Sequence, residues 1–215
     1  MSEPPICPLC AAGPCGHYHR DTRRDYLQCP RCALIFVPAA FHLAPQAERA
    51  VYDQHQNSPA DAGYRRFLSR LYTPLIAELV PGACGLDFGS GPGPTLSVMF
   101  EEAGHPMAIY DPYYAPDTTV LTGQYDFITA TEVVEHLAAP GRELARLVGL
   151  LRPGGWLGLM TKRPTGHAAF GDWHYILDPT HIGYYSEATL SWFASTHGLS
   201  VRFPASDVAL LHKGR

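Results

Sequence analysis

The segment Gly85-Leu86-Asp87-Phe88 runs into Gly89-Ser90-Gly91-Pro92-Gly93, and this passage narrows the folds open to the chain more than any other. Gly89 permits a tight turn off a short strand, and Gly91 lets backbone approach a ligand closely. A helix over 95–103, stopped by Gly104, and a strand over 106–110 complete a strand–loop–helix–strand unit. Asp111 ends that second strand 20 residues beyond Gly91, where a carboxylate can hold both ribose hydroxyls of a nucleoside. Units of this kind build open α/β sheets, whose ligands sit at strand ends and helix N-termini.

The same alternation continues to the end of the chain. A strand is expected over 125–130, then a helix over 140–151 whose Leu144, Leu147, Val148 and Leu151 face the sheet. Arg152-Pro153-Gly154-Gly155 reads as a turn into a strand over 156–161. Ser186 caps a helix that Gly198 ends, and strands over 199–203 and 208–212 close the chain as an antiparallel pair. Upstream, a short helix is expected near 46–52. A longer one covers 62–79, with Tyr64, Phe67, Leu68, Leu71, Leu75 and Leu79 on one face and Pro74 kinking or restarting it. The fold class is α/β, a doubly wound sheet. Only thirteen residues, 112–124, separate Asp111 from the strand at 125, room for a short strand at 119–121 but not for a helix.

The loop restricts its own occupant. The dinucleotide pattern Gly-x-Gly-x-x-Gly/Ala needs a small residue where the chain has Pro94. Pro92 and Pro94 also remove donors that a pyrophosphate would use, and Asp87 would face it as a like charge. An acid there suits an amine or a sulfonium. No Gly-Lys-Ser/Thr follows, which excludes a P-loop.

In these residues the chain resembles the class I S-adenosylmethionine-dependent methyltransferases, with their Rossmann-like sheet. Their first motif falls on Asp87, Gly89, Gly91 and Gly93, and their ribose acid on Asp111. Their fourth-strand motif falls on Tyr125-Asp126-Phe127-Ile128 and Thr131-Glu132-Val133-Val134-Glu135-His136-Leu137, and their turn before strand five on Leu151-Arg152-Pro153-Gly154-Gly155. The resemblance covers roughly residues 64–215 and implies S-adenosyl-L-methionine as cofactor. It would be held by Asp87, Gly89, Ser90, Gly91 and Gly93, by Asp111 and Pro112 at the ribose, and by Thr131 and Glu132 beside the methionine part. Members usually carry a helix and a third strand where this chain has 112–124, so the adenine side is left to another segment or a partner subunit.

Five of the six cysteines precede residue 33, and four form the pairs Cys7-Pro8-Leu9-Cys10 and Cys29-Pro30-Arg31-Cys32. Two such turns separated by 18 residues present four thiolates to one ion, the closed tetrahedral set that structural zinc prefers. Residues 1–45 are therefore expected to form a zinc ribbon on Cys7, Cys10, Cys29 and Cys32, with Cys15, His17 and His19 as spare ligands. Residues 46–63 would be a linker and 64–215 the methyltransferase domain. Cys84 is expected as a small core residue.

Methyl transfer from a sulfonium requires the reactants in line, with a base when the acceptor is a hydroxyl or an acidic carbon. The loop 162–185 leaves strand five at the carboxyl edge and carries Asp172-Trp173-His174-Tyr175 and Asp178-Pro179-Thr180-His181, the expected wall of the acceptor site. His181 is the expected base or orienter. His136 is expected at the boundary between cofactor and acceptor, and His174 is a third catalytic candidate. Lys162 and Arg163 could meet an anionic acceptor or form a solvated turn, and Asp178 reads as a turn initiator.

With a net charge of −4, and four basic against three acidic residues in the ribbon, a nucleic-acid partner is disfavoured. The Asn/Asp-Pro-Pro-Tyr/Phe motif of many base methylases is also absent where Thr131-Glu132 stands. The expected partner is a small-molecule methyl acceptor. The alternatives are an RNA or protein methyltransferase using the ribbon for recognition, or a non-catalytic Rossmann-like binding protein; a homodimer stays open. No signal peptide or membrane span is read, so the expected location is the cytoplasm.

Overall fold

The computed structural model describes residues 5–54 and 57–214. At the N-terminal end, β1 (Gly16–Arg20) and β2 (Asp25–Gln28) form an antiparallel hairpin to which β3 (Ile35–Phe36) adds, as the ribbon reading requires. The chain then forms α1 (Pro45–Tyr52), opened by a proline where a helix needs no amide donor. It continues into α2 (Ala62–Ile76), capped by the Asp61 carboxylate, which accepts the Gly63 and Tyr64 amides at 2.7 and 3.1 Å. Pro74 lies in the last turn of α2, so the helix runs through it and ends at Ile76 instead of restarting toward 79.

From there strands and helices alternate: β4 (Gly85–Phe88), α3 (Thr95–Glu102), β5 (Met107–Tyr110), β6 (Tyr125–Thr131), α4 (Pro140–Leu150) and β7 (Leu151–Met160). Then come α5 (His167–Phe170), β8 (Gly183–Tyr184), α6 (Glu187–Thr196), β9 (Leu199–Ala205) and β10 (Val208–Lys213). Six strands make one mixed sheet in the order β5-β4-β6-β7-β10-β9. The first four run parallel, while β10 is antiparallel to both β7 and β9. Central strands of such a sheet are buried on both faces, and all four residues of β4 are. On one face Leu68, Leu71 and Leu75 of α2 and Phe100 of α3 pack against Phe127, Met160 and Leu210. On the other, Leu144 and Leu147 of α4 and Leu190 and Phe193 of α6 cover Ile128, Leu157 and Leu211.

Three local expectations change. The segment expected as a strand at 119–121 is instead a 3-10 helix, Thr118–Thr122, so β5 forms the sheet edge. The turn at 152–155 is a bulge inside the start of β7, since Tyr125 faces Leu151 but Phe127 faces Trp156. Cys84 is half-buried rather than a core residue; its backbone amide donates to Asp126.

The loop after β7 does not simply overhang the sheet. β8 pairs antiparallel with β3, Ile35 facing Tyr184, so the ribbon sheet has the order β1-β2-β3-β8. Tyr26, Ile35 and Val37 from the ribbon share a core with Phe170, Tyr175, Ile176 and Tyr184 from the loop. Arg24, 5 % exposed, ties the two together: its guanidinium donates to the carbonyls of Ile176, Asp178 and Pro179 and to the Tyr184 hydroxyl.

Candidate active site

The chain leaves β4 toward β5 on one side and later returns as β6 on the other, a reversal that opens a crevice beyond the carboxyl ends. A cavity of about 910 Å³ lies there. Asp87, Gly89, Ser90, Gly91, Gly93, Asp111, Pro112, Thr131 and Glu132 all line it, as do His136 and His181. Gly89 has φ 77°, and a Cβ there would collide with the Val133 side chain. At Gly93 a Cβ would strike the Asn57 carbonyl, so the loop is packed too tightly for any side chain at either place.

Asp111 organises this loop. Its Oδ2 accepts the Gly91 amide at 3.0 Å, and its Oδ1 accepts the Tyr113 and Tyr114 amides at 2.8 and 3.0 Å. Those bonds fill three of about four acceptor positions on the carboxylate. Asp87 is buried and accepts the Thr129 hydroxyl at 2.7 Å. Burial pushes its carboxyl up to about 6, against the pull of that hydroxyl. Ser90 Oγ and Glu132 Oε1 are buried without a hydrogen-bond partner among the described residues, which fits a polar ligand lying across them.

The side left open by the missing strand is covered by α1, the short helix expected near 46–52; the sequence did not signal that it would pack there. The Tyr113 and Tyr114 hydroxyls donate to Glu48 and Asp53 at 2.9 and 2.7 Å. The Tyr52 ring stands edge-on to His136 at 5.3 Å.

At the opposite end two histidines meet, their ring centroids 4.8 Å apart. His136 Nδ1 lies 3.1 Å from the Thr180 carbonyl and His181 Nδ1 lies 2.8 Å from the Tyr175 carbonyl. A carbonyl only accepts, so Nδ1 carries a proton in each; in His181, which burial keeps neutral, Nε2 carries the lone pair. Burial, with the neighbouring His136, holds His181 down at about 4 despite the Asp178 carboxylate beside it. Behind them Glu135 is fully buried and accepts the Tyr175 hydroxyl. Burial raises both Glu132 and Glu135 above the carboxylate range, and their mutual repulsion raises Glu132 further. Glu132 has φ 52°, a left-handed backbone uncommon for a side-chain-bearing residue, at the point where the chain leaves β6.

His174 is not part of this wall: it is exposed and meets the Lys162 ammonium at 2.9 Å. Lys162 and Arg163 do not line the cavity either; Arg163 instead donates to the carbonyls of Ala205 and Val208. Asp178 does initiate a turn, accepting the Thr180 amide at 2.8 Å, and also lines the cavity. Glu135 and Tyr175 were read from the sequence only as members of longer motifs, without roles of their own, and Arg24 was not read at all. The adjacent Glu135-His136, three residues after Glu132, was the available signal.

The second cluster lies in the ribbon. The Sγ atoms of Cys7, Cys10, Cys29 and Cys32 all lie within 4.8 Å of one another, with Cys7–Cys32 at 3.5 Å and Cys10–Cys29 at 3.4 Å. A tetrahedron of thiolates about 2.3 Å from an ion has edges near ~3.8 Å. Cys15, His17 and His19 are outside the set; Cys15 Sγ turns to the Ala12 carbonyl at 3.7 Å.

No curated protein sequence matches the chain. Among solved structures, it is similar to the 1,6-didemethyltoxoflavin-N1-methyltransferase of Burkholderia thailandensis with bound 1,6-didemethyltoxoflavin and S-adenosylhomocysteine, at 18% identity and TM-score 0.50, covering 93% of this chain and 100% of that one. It is also similar to magnesium protoporphyrin IX methyltransferase from Synechocystis PCC 6803 with S-adenosylmethionine bound, at 14% identity and TM-score 0.52, covering 81% of this chain and 93% of the other. These likenesses establish a shared fold. A family model described as a methyltransferase domain matches residues 61–202. The glycine loop, the acid at the end of β5 and the crevice between β4 and β6 all lie within that span, and the chain belongs to the class I S-adenosylmethionine-dependent methyltransferases.

Proposed function

We propose that the chain methylates a small molecule held at the histidine end of the cavity, and that a structural zinc ion in the ribbon braces one wall of that site. The observation that carries the reading is the single cavity of about 910 Å³ joining the glycine loop to His136 and His181. Small-molecule sites span roughly 300–1,000 Å³, so this one takes a nucleoside cofactor and a modest acceptor together. When bound, S-adenosylmethionine supplies an electrophilic methyl on a sulfonium.

The chain's own residues do the rest. Asp111 keeps one acceptor position for a ribose hydroxyl while its other bonds hold the glycine loop closed. Asp87 offers a buried carboxylate to the cofactor's positive charge, and Ser90 and Glu132 offer unpartnered polar atoms to its methionine part. α1 and the Tyr113–Tyr114 turn shield the adenine side from water. His136 and His181 orient the acceptor with rings that the backbone holds through their Nδ1 atoms. Their task is positional, which suits a displacement whose rate depends on alignment.

Four thiols at tetrahedral spacing support zinc in the ribbon. Through β3 and β8 it would stiffen the segment that carries His181. The reading is tested with radiolabelled S-adenosylmethionine and two acceptor pools, cell metabolites below about 1 kDa and total RNA plus protein. Label in the small-molecule pool supports it; label confined to the macromolecules refutes it.

A further inference from the structure

The inner end of the cavity holds more ligating chemistry than an acceptor pocket needs. One donor atom from each of Glu135, His136 and His181 lies within 4.8 Å of the others. Both imidazoles give their Nδ1 protons to backbone carbonyls, at 3.1 and 2.8 Å, the outer contact that fixes ring and tautomer in metal-binding histidines. Glu135 likewise accepts the Tyr175 hydroxyl, while its other oxygen is buried with no hydrogen-bond partner among the described residues. Glu132 stands on the far side of that hydroxyl, its Oε2 at 3.5 Å and its Oε1 also unpartnered. Among the described residues neither acid forms an ion pair. Lys162 and Arg70 act on Glu132 without an ion-pair contact: Lys162 meets His174, and Arg70 pairs with Asp207 at 2.8 Å. Two buried acids with orphaned oxygens thus stand beside two imidazoles, a donor set that a cation would complete.

We propose that Glu135, His136 and His181 bind a divalent transition-metal ion, and that this ion holds the methyl acceptor through two oxygens on neighbouring atoms. Two imidazoles and a carboxylate suit Mn²⁺, Fe²⁺, Co²⁺ or Zn²⁺ rather than Mg²⁺ or Ca²⁺. Three protein ligands leave coordination positions open, and His136 and His181 both line the cavity, so those positions face the acceptor. A molecule with adjacent oxygen donors, such as a vicinal diol or a catechol, fills two of them as a chelate. The ion also makes the bound hydroxyl more acidic. In the transfer the acceptor's O–H bond breaks and its proton leaves to water. The oxygen's electron pair forms the new C–O bond, and the C–S bond breaks with its pair returning to sulfur. The ion keeps its oxidation state. On this reading His181 is a ligand and not a free base. The acceptor half rests on the methyl-transfer reading above; the ion does not.

The probe is Mn²⁺ alone, followed by electron paramagnetic resonance on the full chain with its ribbon metal left in place, since thiolates favour softer ions than Mn²⁺. The expected result is about one Mn²⁺ per chain, weakened at least ~10-fold by Glu135→Gln and by His181→Ala, with S-adenosylhomocysteine affinity held within about twofold. No bound Mn²⁺ at about 1 mM, or binding that neither variant changes, overturns the ion site. Should a variant fail to fold, the unaltered chain decides: bound Mn²⁺ should broaden the resonance of a ¹³C-labelled methyl on S-adenosylmethionine, and an unbroadened line overturns the proposal. A chain that binds Mn²⁺ but not S-adenosylhomocysteine keeps the ion and overturns the acceptor half along with methyl transfer.

Discussion

Asp87 is the residue whose charge state the cofactor should feel first. In the ligand-free fold burial pushes it up to about 6, above the 3.8 of a free aspartate. Its contribution to apo stability is therefore fully present below pH 3.8 and lost as pH rises through about 6. Cofactor binding runs the other way, because an ammonium or sulfonium prefers the ionised acid. Affinity for S-adenosylmethionine should rise roughly tenfold per pH unit below about 6 and level off above it. Calorimetry across that range checks this, and Asp87→Asn should flatten the profile; an Asp87-independent slope contradicts it. At Asp111 the expectation is larger in scope. Asp111→Ala would remove the proposed ribose contact and also orphan the amides of Gly91, Tyr113 and Tyr114. S-adenosylhomocysteine should then bind at least ~10-fold more weakly, measured by the same titration.

Among the elements, the coupling of ribbon to loop carries the clearest consequences. Arg24→Ala would leave the carbonyls of Ile176, Asp178 and Pro179 without their donor. The cost should be about 3 kcal/mol, read as a melting temperature lower by roughly 6–12 °C. Hydrogen exchange should speed up over 174–184 before it does in β4 or β6. Cys29→Ser should lose about one equivalent of zinc by metal analysis and loosen the same segment, because β8 pairs with β3. Zinc retained, or loss of zinc without change in the loop, contradicts that coupling. None of this coupling was legible beforehand. A two-residue strand such as Gly183–Tyr184 has no periodicity to read, and a buried Arg24 looks like any surface arginine. The longer elements were legible for the converse reason. The leucine stripe of α2, the Ser186 cap and the buried run of β4 are local signals that tertiary packing only reinforces.

For the molecule as one object, the order of motifs along the chain anticipated the crevice in which the glycine loop and Asp111 meet. Strand, glycine loop and acid are fixed by a topology that brings distant residues to one sheet edge in a predictable way. The histidine end was legible only in part. His136 and His181 were read, but their pairing with Glu135 depends on how a long loop folds back over β6, and His174, from that same loop, faces solvent. The same holds for α1, which covers the gap where a third strand would stand and was read as part of a linker. All these parts meet at one cavity, and calorimetric titration of the unaltered chain with S-adenosylhomocysteine and, separately, with a nicotinamide dinucleotide interrogates it. The structure predicts about one S-adenosylhomocysteine bound per chain and no dinucleotide, the Pro92-Gly93-Pro94 loop lacking the donors a pyrophosphate needs. No binding of S-adenosylhomocysteine at about 1 mM, or preference for the dinucleotide, would contradict the assignment.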